Sequence, residues 1–350
     1  MRSTDIIGWF ADIGLEDRPH VGGKGGSLGE LQKAGIAVPP GFVVKTGAFE
    51  RFLGALERQA PVRSRIEQLD SQDLAAVTAC CQEMRARVEQ TPMPDDVLAE
   101  ISSAHISLCG DGGAEPVAVR SSATTEDAVD ASFAGLQDTY LWVTSLSQTL
   151  QRVRSCWASM YSVESVSYRR SRGMAEAGVA MGVVVQKMVN ARTAGVMFTR
   201  SPTTGDRSVM TIEGAWGLGS SVVGGEVTPD RWVVGKITGE ISVRDISEKL
   251  IQHLPAPAGG IDDVPVADEL RKVACMSDAE LQALRAIGRK VEKHYGRPQD
   301  IEWAVARDTN EILLLQSRPE TVWSSKEAAS VARPVEDPLL HVMSIFGGRR

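Results

Sequence analysis

At 350 residues, with 43% hydrophobic and 24% charged side chains, the chain has the composition of a soluble globular protein long enough for about two lobes. A formal net charge of −7 argues against nucleic acid or an anionic membrane surface as the main partner. No apolar run reaches the length of a membrane span and the N-terminus lacks the apolar core of a signal peptide, so a cytoplasmic location is expected. The five cysteines have no C-x-x-C spacing and read as reduced core thiols; the scattered histidines form no zinc motif.

In chain order, VGGKGGSLGEL (21–31) predicts a glycine turn followed by a short helix that stops at Gly35. It is not a P-loop, because Lys24 is followed by Gly25 rather than Ser or Thr. A glycine turn, a cation and a helix N-terminus still make an anion site; the alternative is a plain surface turn. Residues 36–44 read as extended chain interrupted by Pro39 and Pro40. Thr46 is placed to cap a helix carrying Phe49, Phe52, Leu53 and Leu56 on one face, and residues 71–90 predict a second amphipathic helix. The turn cluster at 109–116 marks a seam.

A short strand, 117–119, delivers Arg120 into a Ser/Thr/Ala loop, followed by a turn at 132–135 and a strand at 140–143. Small residues there allow backbone N–H groups to approach an anion, although Arg120 is equally suited to a structural pair with Glu126 or Asp127. Leu150, Val153, Trp157 and Tyr161 mark a helix face. Residues 179–185 form a buried strand running into a linker at Gln186 and Lys187. Further strands fall at 195–199, 209–213 and 231–234. The run GAWGLGSSVVGG (214–225) reads as hairpin turns, or else a mobile loop. Ser277 and Glu280 form a capping box for a helix closed by Gly296.

Near the C-terminus, QDIEWAVARDTNEILLLQSRPE (299–320) predicts two strands around Asp308-Thr309-Asn310. Symmetry about Thr309 sets Glu302 opposite Gln316 and Asp300 opposite Arg318, all on one face. Such oxygens suit a hard cation such as Mg²⁺, with Arg318 gripping a phosphate; the alternative is an internal Asp300–Arg318 and Glu302–Gln316 cluster. Lys24, Arg120 and Arg318 together fit one polyphosphate ligand.

VGGKGGSLGEL with AVPPGFVV, VRSSATTEDAVDASFAG, AGVMFTRSP, AWGLGSSVVGGEVTPD and QDIEWAV…LLLQSRPETVW resemble, in the same order, the nucleotide-binding domain shared by pyruvate,water dikinase (phosphoenolpyruvate synthase), pyruvate,phosphate dikinase and rifampin phosphotransferase. The resemblance covers roughly residues 7–323. It implies a mixed α/β (α+β) ATP-grasp fold: an N-terminal lobe over 1–185, a C-terminal lobe over 186–323 and a tail over 324–350, with ATP between the lobes. Lys24, Arg120 and Arg318 are then expected on the phosphates and in catalysis, Gly135 and Thr139 in a phosphate-covering loop, Gln186 at the adenine hinge, and Glu302 and Gln316 on Mg²⁺.

One departure stands beside these matches. The dikinases transfer the phosphoryl group to a histidine in a T-x-x-x-[ST]-H type setting on a swivelling domain, and none of His20, His105, His253, His294 or His341 has it. The chain is either a cut fragment or one subunit of a split enzyme, and the latter is expected. The resemblance then extends to the small subunit of phenylphosphate synthase, which phosphorylates phenol with ATP and releases AMP and phosphate. The alternatives are a phosphoenolpyruvate-synthase-like or rifampin-phosphotransferase-like nucleotide domain, or a non-catalytic nucleotide-binding regulator. The expected partner is a separate subunit with the phosphohistidine domain, docked for instance on the apolar patch Leu339–Phe346.

Overall fold

The computed structural model of the chain describes residues 5–110, 115–124, 127–128, 131–132 and 138–323. The first sheet contains β1 (Ile7–Trp9), β2 (Gly41–Val44), β3 (Val117–Ala123), β6 (Thr139–Val143) and β7 (Met181–Lys187), in the spatial order β1-β2-β7-β3-β6 and antiparallel throughout. Between β3 and β6, β4 (Asp127–Ala128) and β5 (Ala131–Ser132) pair with each other. The second sheet is formed by β8 (Ala191–Phe198), β9 (Val209–Trp216), β10 (Asp230–Gly235), β11 (Ile241–Asp245), β14 (Gln299–Ala306) and β15 (Ile312–Pro319). Its order is β11-β10-β9-β8-β14-β15, and a separate hairpin joins β12 (Ile251–Pro255) to β13 (Ile261–Pro265). This is the mixed α/β, two-lobed arrangement that the resemblance implies.

Helix α1 (Arg18–Lys33) lies against both sheets: Val21 and Leu28 pack with Val43 and Val184, whereas Leu31 belongs to the core of the second sheet. Helices α2 (Thr46–Glu57), α3 (Arg63–Glu67), α4 (Leu74–Gln90), α5 (Asp95–Cys109), α6 (Leu146–Ser159) and α7 (Val163–Ser171) surround the first sheet. The apolar face of α2 is buried as its spacing predicts, with Phe52 and Phe49 centred 5.0 and 5.9 Å from Trp157 of α6. A one-turn helix, α8 (Ser220–Val223), follows β9. Helix α9 (Asp278–Tyr295) begins at the expected Ser277–Glu280 capping box, ends at Gly296 in the left-handed region, and buries Leu281, Leu284 and Val291.

Several local expectations give way to tertiary packing. The glycine run is not a turn before a helix: residues 23–31 are all helical, and only Gly22 departs, at φ 73°. Glycine's poor helix propensity is overridden because the helix is pressed onto backbone; a Cβ at Gly29 would lie 2.3 Å from the Ile13 carbonyl. Thr46 is the first residue of α2 rather than its cap, which is Lys45, and the Thr46 hydroxyl instead donates to the Pro19 carbonyl. Strand β3 runs past Arg120 to Ala123, and Gln186 and Lys187 end β7 instead of forming a linker, because both stretches keep ladder partners. The run 214–225 is the end of β9 followed by α8, not a set of hairpin turns. The seam residues 111–114, Gly135 and the patch Leu339–Phe346 lie outside the described residues.

Candidate functional site

Residues 188–190 carry the chain from β7 into β8, and a cleft of about 850 Å³ opens beside them between the sheets. Lys24, Arg120, Thr139, Gln186, Glu302, Gln316 and Arg318 all line it. The structure therefore gathers every described member of the expected set from six elements: α1, β3, β6, β7, β14 and β15.

Sequence-local chemistry explains how they meet. At Gly22 the positive φ kinks α1 after its first turn, and a Cβ there would stand 2.0 Å from the Ser122 carbonyl, so only glycine fits. The Ser122 hydroxyl donates to the Val21 carbonyl (2.8 Å) and accepts from the Gly25 N–H (3.1 Å). This ties the start of the glycine-rich helix to β3 two residues beyond Arg120, bringing Lys24 and Arg120 to the cleft from adjoining elements. On the other side, the Ser27 hydroxyl donates to the Ser317 carbonyl at 2.5 Å, fixing the same helix to β15 next to Gln316 and Arg318.

The β14–β15 hairpin pairs Asp300 with Arg318 and Glu302 with Gln316, the register expected from symmetry about Thr309, and Asn310 takes the left-handed conformation at φ 55°. The symmetry breaks nearer the turn, where Trp303 pairs with Leu314 and Leu315 is left as the extra residue of a bulge. That bulge has a use: Arg120 Nη1 donates to the Leu315 carbonyl at 3.1 Å. Arg120 Nη2 donates to Glu302 Oε2 at 3.0 Å and to Gln316 Oε1 at 2.8 Å. Among the described residues Arg120 pairs with Glu302; the side chains of Glu126 and Asp127, its alternative partners, lie outside what the structure describes. Half of the internal-cluster alternative is present, since Arg318 Nε lies 3.5 Å from Asp300, but Glu302 turns to Arg120 instead of Gln316.

Glu302 and Gln316 point one oxygen each at a single cationic nitrogen. A pair of hard oxygen donors converging on one positive point is a donor set that suits Mg²⁺, which takes few protein ligands and completes its shell with phosphate oxygens and water. Burial pushes the neighbouring Asp300 carboxyl up to about 6, with Arg318 opposing the shift and Glu320 adding to it. Lys24 is buried, whereas the Arg318 side chain is about half exposed at the rim.

Much of the cleft has no polar signature, and here sequence reasoning missed its residues. Trp142, Met188, Val189, Leu218, Ile261 and Leu315 supply an apolar wall continuous with a small core around Ala191, Ala194 and Ala304. Trp142 sits at φ 55°, costly for a bulky residue, where the β3–β6 register shifts. Arg152 of α6 also lines the cleft, its guanidinium 4.5 Å from the Tyr140 ring centre. The Gly260 N–H donates to the Trp142 carbonyl (3.0 Å), closing one edge. Gln186 lines the cleft where β7 ends, and its amide donates to the Pro39 carbonyl (3.3 Å).

Among the described residues no histidine lines this cleft. His20 is exposed on α1, His105 and His253 are buried elsewhere, and His294 contacts Glu30 at 2.6 Å. None of the described helices is long and apolar enough to cross a membrane.

Residues 18–337 match the family model described as pyruvate phosphate dikinase, AMP/ATP-binding domain. The chain is 40% identical over 322 residues to a probable phosphoenolpyruvate synthase of Methanothermobacter thermautotrophicus, covering 91% of this chain and 46% of that protein. It is 39% identical over 362 residues to the phosphoenolpyruvate synthase of Aeropyrum pernix, covering 95% and 44%. Against a rifampicin phosphotransferase from a Streptomyces species the identity is 39% over 311 residues, covering 89% and 35%. The chain thus spans less than half the length of these relatives. With its match running across nearly the whole chain, this protein belongs to the pyruvate phosphate dikinase AMP/ATP-binding domain family.

Proposed function

We propose that the chain is the ATP-binding part of a dikinase of the phosphoenolpyruvate synthase type. In this reading it grips Mg·ATP between its two sheets in the ATP-grasp manner and passes a phosphoryl group to a histidine on a separate domain or subunit, with AMP and phosphate as the final products. The single observation that carries it is the convergence of Glu302 and Gln316 on the Arg120 guanidinium, inside a cleft that also holds Lys24 and Arg318. The apolar wall suits a base, Gln186 an exocyclic polar edge, and the three cations a triphosphate. Bound Mg²⁺ would supply charge neutralisation at the phosphates. Phosphoryl transfer depends on positioning and charge stabilisation, and the cleft offers both without offering an acceptor. Since the relatives reported above are named for phosphoenolpyruvate synthase and rifampicin phosphotransferase, the phosphoenolpyruvate-synthase-like reading takes precedence over the phenol-phosphorylating one.

The test is single-turnover labelling with γ- and β-labelled ATP. The isolated chain should bind ATP in a Mg²⁺-dependent way and form no stable phosphoenzyme. With a histidine domain from a phosphoenolpyruvate synthase present, label should move to that domain and AMP should appear; pyruvate, rather than phenol or a rifamycin, should then discharge it. Acid-labile label on this chain alone, or ADP as the sole nucleotide product with the partner present, would overturn the reading.

A further inference from the structure

Away from the ligands of the cleft, a second group of metal-binding side chains comes together from three separate segments. His253 on β12 lies directly opposite Asp263 on β13, and Glu226 comes after α8, just past the glycine-rich run. The imidazole Nε2 is 2.9 Å from Glu226 Oε2 and 3.1 Å from Asp263 Oδ1. The ligand atoms of all three residues lie within 4.8 Å of one another. The imidazole is buried, 4% exposed, while the two carboxylates open to solvent at 49% and 67%.

We propose that His253, Glu226 and Asp263 form a site for one divalent first-row transition cation of the Zn²⁺ class, leaving at least one coordination position to water. Donor atoms sharing such an ion at about 2.0–2.2 Å, with angles near 90–110°, stand roughly 3.0–3.5 Å apart; of the two nitrogen–oxygen separations, 3.1 Å lies inside that spacing and 2.9 Å just below it. Hydrogen bonding alone balances the cluster poorly. Nδ1 is already engaged at 2.7 Å by the Ser220 hydroxyl, so one Nε2 proton would have to serve two carboxylates. A cation resolves both problems. Nδ1–H then donates to Ser220 Oγ, Nε2 presents its lone pair, and the ion balances both negative charges. One imidazole with two carboxylates favours Zn²⁺ or its neighbours over Mg²⁺, whereas the oxygen pair in the cleft has the opposite preference.

Placement gives the site a role. Leu218, Gly219 and Ser220 line the cleft on one side of the cluster, and the β12–β13 turn, Ala258–Ile261, lines it on the other. The Leu218 N–H already donates to the His253 carbonyl (3.0 Å). A bound ion would therefore clamp the glycine-rich segment to the hairpin at the mouth of the cleft.

Equilibrium dialysis of the untagged, chelator-stripped full chain against micromolar Zn²⁺, read by elemental analysis, tests the site. The expected result is one Zn²⁺ per chain that millimolar Mg²⁺ does not displace and that raises the melting temperature. Asp263→Asn should weaken it at least about tenfold; because that side chain is exposed, the variant keeps the fold and its melting temperature without metal. His253→Gln should abolish binding, and His294→Asn, at the other histidine–carboxylate contact, should leave it intact. Failure of the wild type to bind Zn²⁺, equal binding by wild type and Asp263→Asn, or loss in His294→Asn would overturn the proposal.

Discussion

Arg120 reaches across the cleft from the first sheet and meets Glu302 of the second at 3.0 Å. One guanidinium thus stands at the point where Glu302 and Gln316 converge, and a metal ion held by both oxygens would have to displace it. Without nucleotide, Arg120→Ala should increase Mn²⁺ binding, measured by electron paramagnetic resonance, while weakening Mg·ATP binding by more than tenfold, or about 1.4 kcal/mol. Glu302→Gln should remove most of the Mg²⁺ dependence of ATP binding. Its stability cost should be small, roughly 1–2 kcal/mol, because the carboxylate is partly exposed. Loss of Mn²⁺ binding in Arg120→Ala would contradict the exchange.

Gly22→Ala places a methyl group 2.0 Å from the Ser122 carbonyl at a positive φ. Either β3 or the start of α1 must move, and Lys24 and Arg120 move with them. A stability loss of about 2–4 kcal/mol is expected in denaturant titrations, together with weakened ATP binding. Gly54→Ala, where an added Cβ meets nothing within 4 Å, should be neutral or slightly stabilising.

Lys249 and Asp230 form a fully buried pair at 2.5 Å, and Asp230 also accepts from the N–H groups of Ser247 and Cys275. Removing the cation strands a buried carboxylate. Lys249→Met should therefore cost about 3–5 kcal/mol, and adding Asp230→Asn should recover a good part of it. A double variant whose loss equals the sum of the Lys249→Met and Asp230→Asn losses would show that the pair is not coupled.

His105 is buried on α5, with Cys109 Sγ 3.8 Å from Nε2 and no partner for Nδ1 among the described residues. Burial lowers its pKa below the ordinary 6.5, so the folded chain resists a proton that the unfolded chain accepts. Its contribution to stability is present above pH 6.5 and is lost as the pH falls through the lower folded value. Melting curves between about pH 7.5 and 5 should show a smaller acid loss for His105→Asn than for the wild type. Parallel curves would rule out this residue as the source.

The polar half of the cleft was legible because its chemistry is local. Period-two alternation with symmetry about Thr309 puts Asp300, Glu302, Gln316 and Arg318 on one hairpin face, and their shared charge and the family resemblance join Lys24 and Arg120 to Arg318. What escaped were contacts across the fold. Nothing near Arg120 in sequence announces Glu302, 182 positions away. The apolar wall is made of residues that look like ordinary core, and the helical course of the glycine run depends on Ser122 and Ile13 pressing on it. Thr46 was misread as a cap for a related reason: its hydroxyl has a distant acceptor at Pro19.

Helix α1 has a mechanical consequence. It is held to β3 through Ser122 and to β15 through Ser27, while residues 188–190 join the two sheets covalently. The rear of the cleft is therefore fastened by the chain itself and by α1, whose two attachments cannot lengthen without breaking buried hydrogen bonds. At another edge the Gly260 N–H meets the Trp142 carbonyl, on a tryptophan held in an unfavourable conformation. An opening of the cleft at that edge would pivot on α1. Lys24, on that helix, would then move least and the β12–β13 turn most.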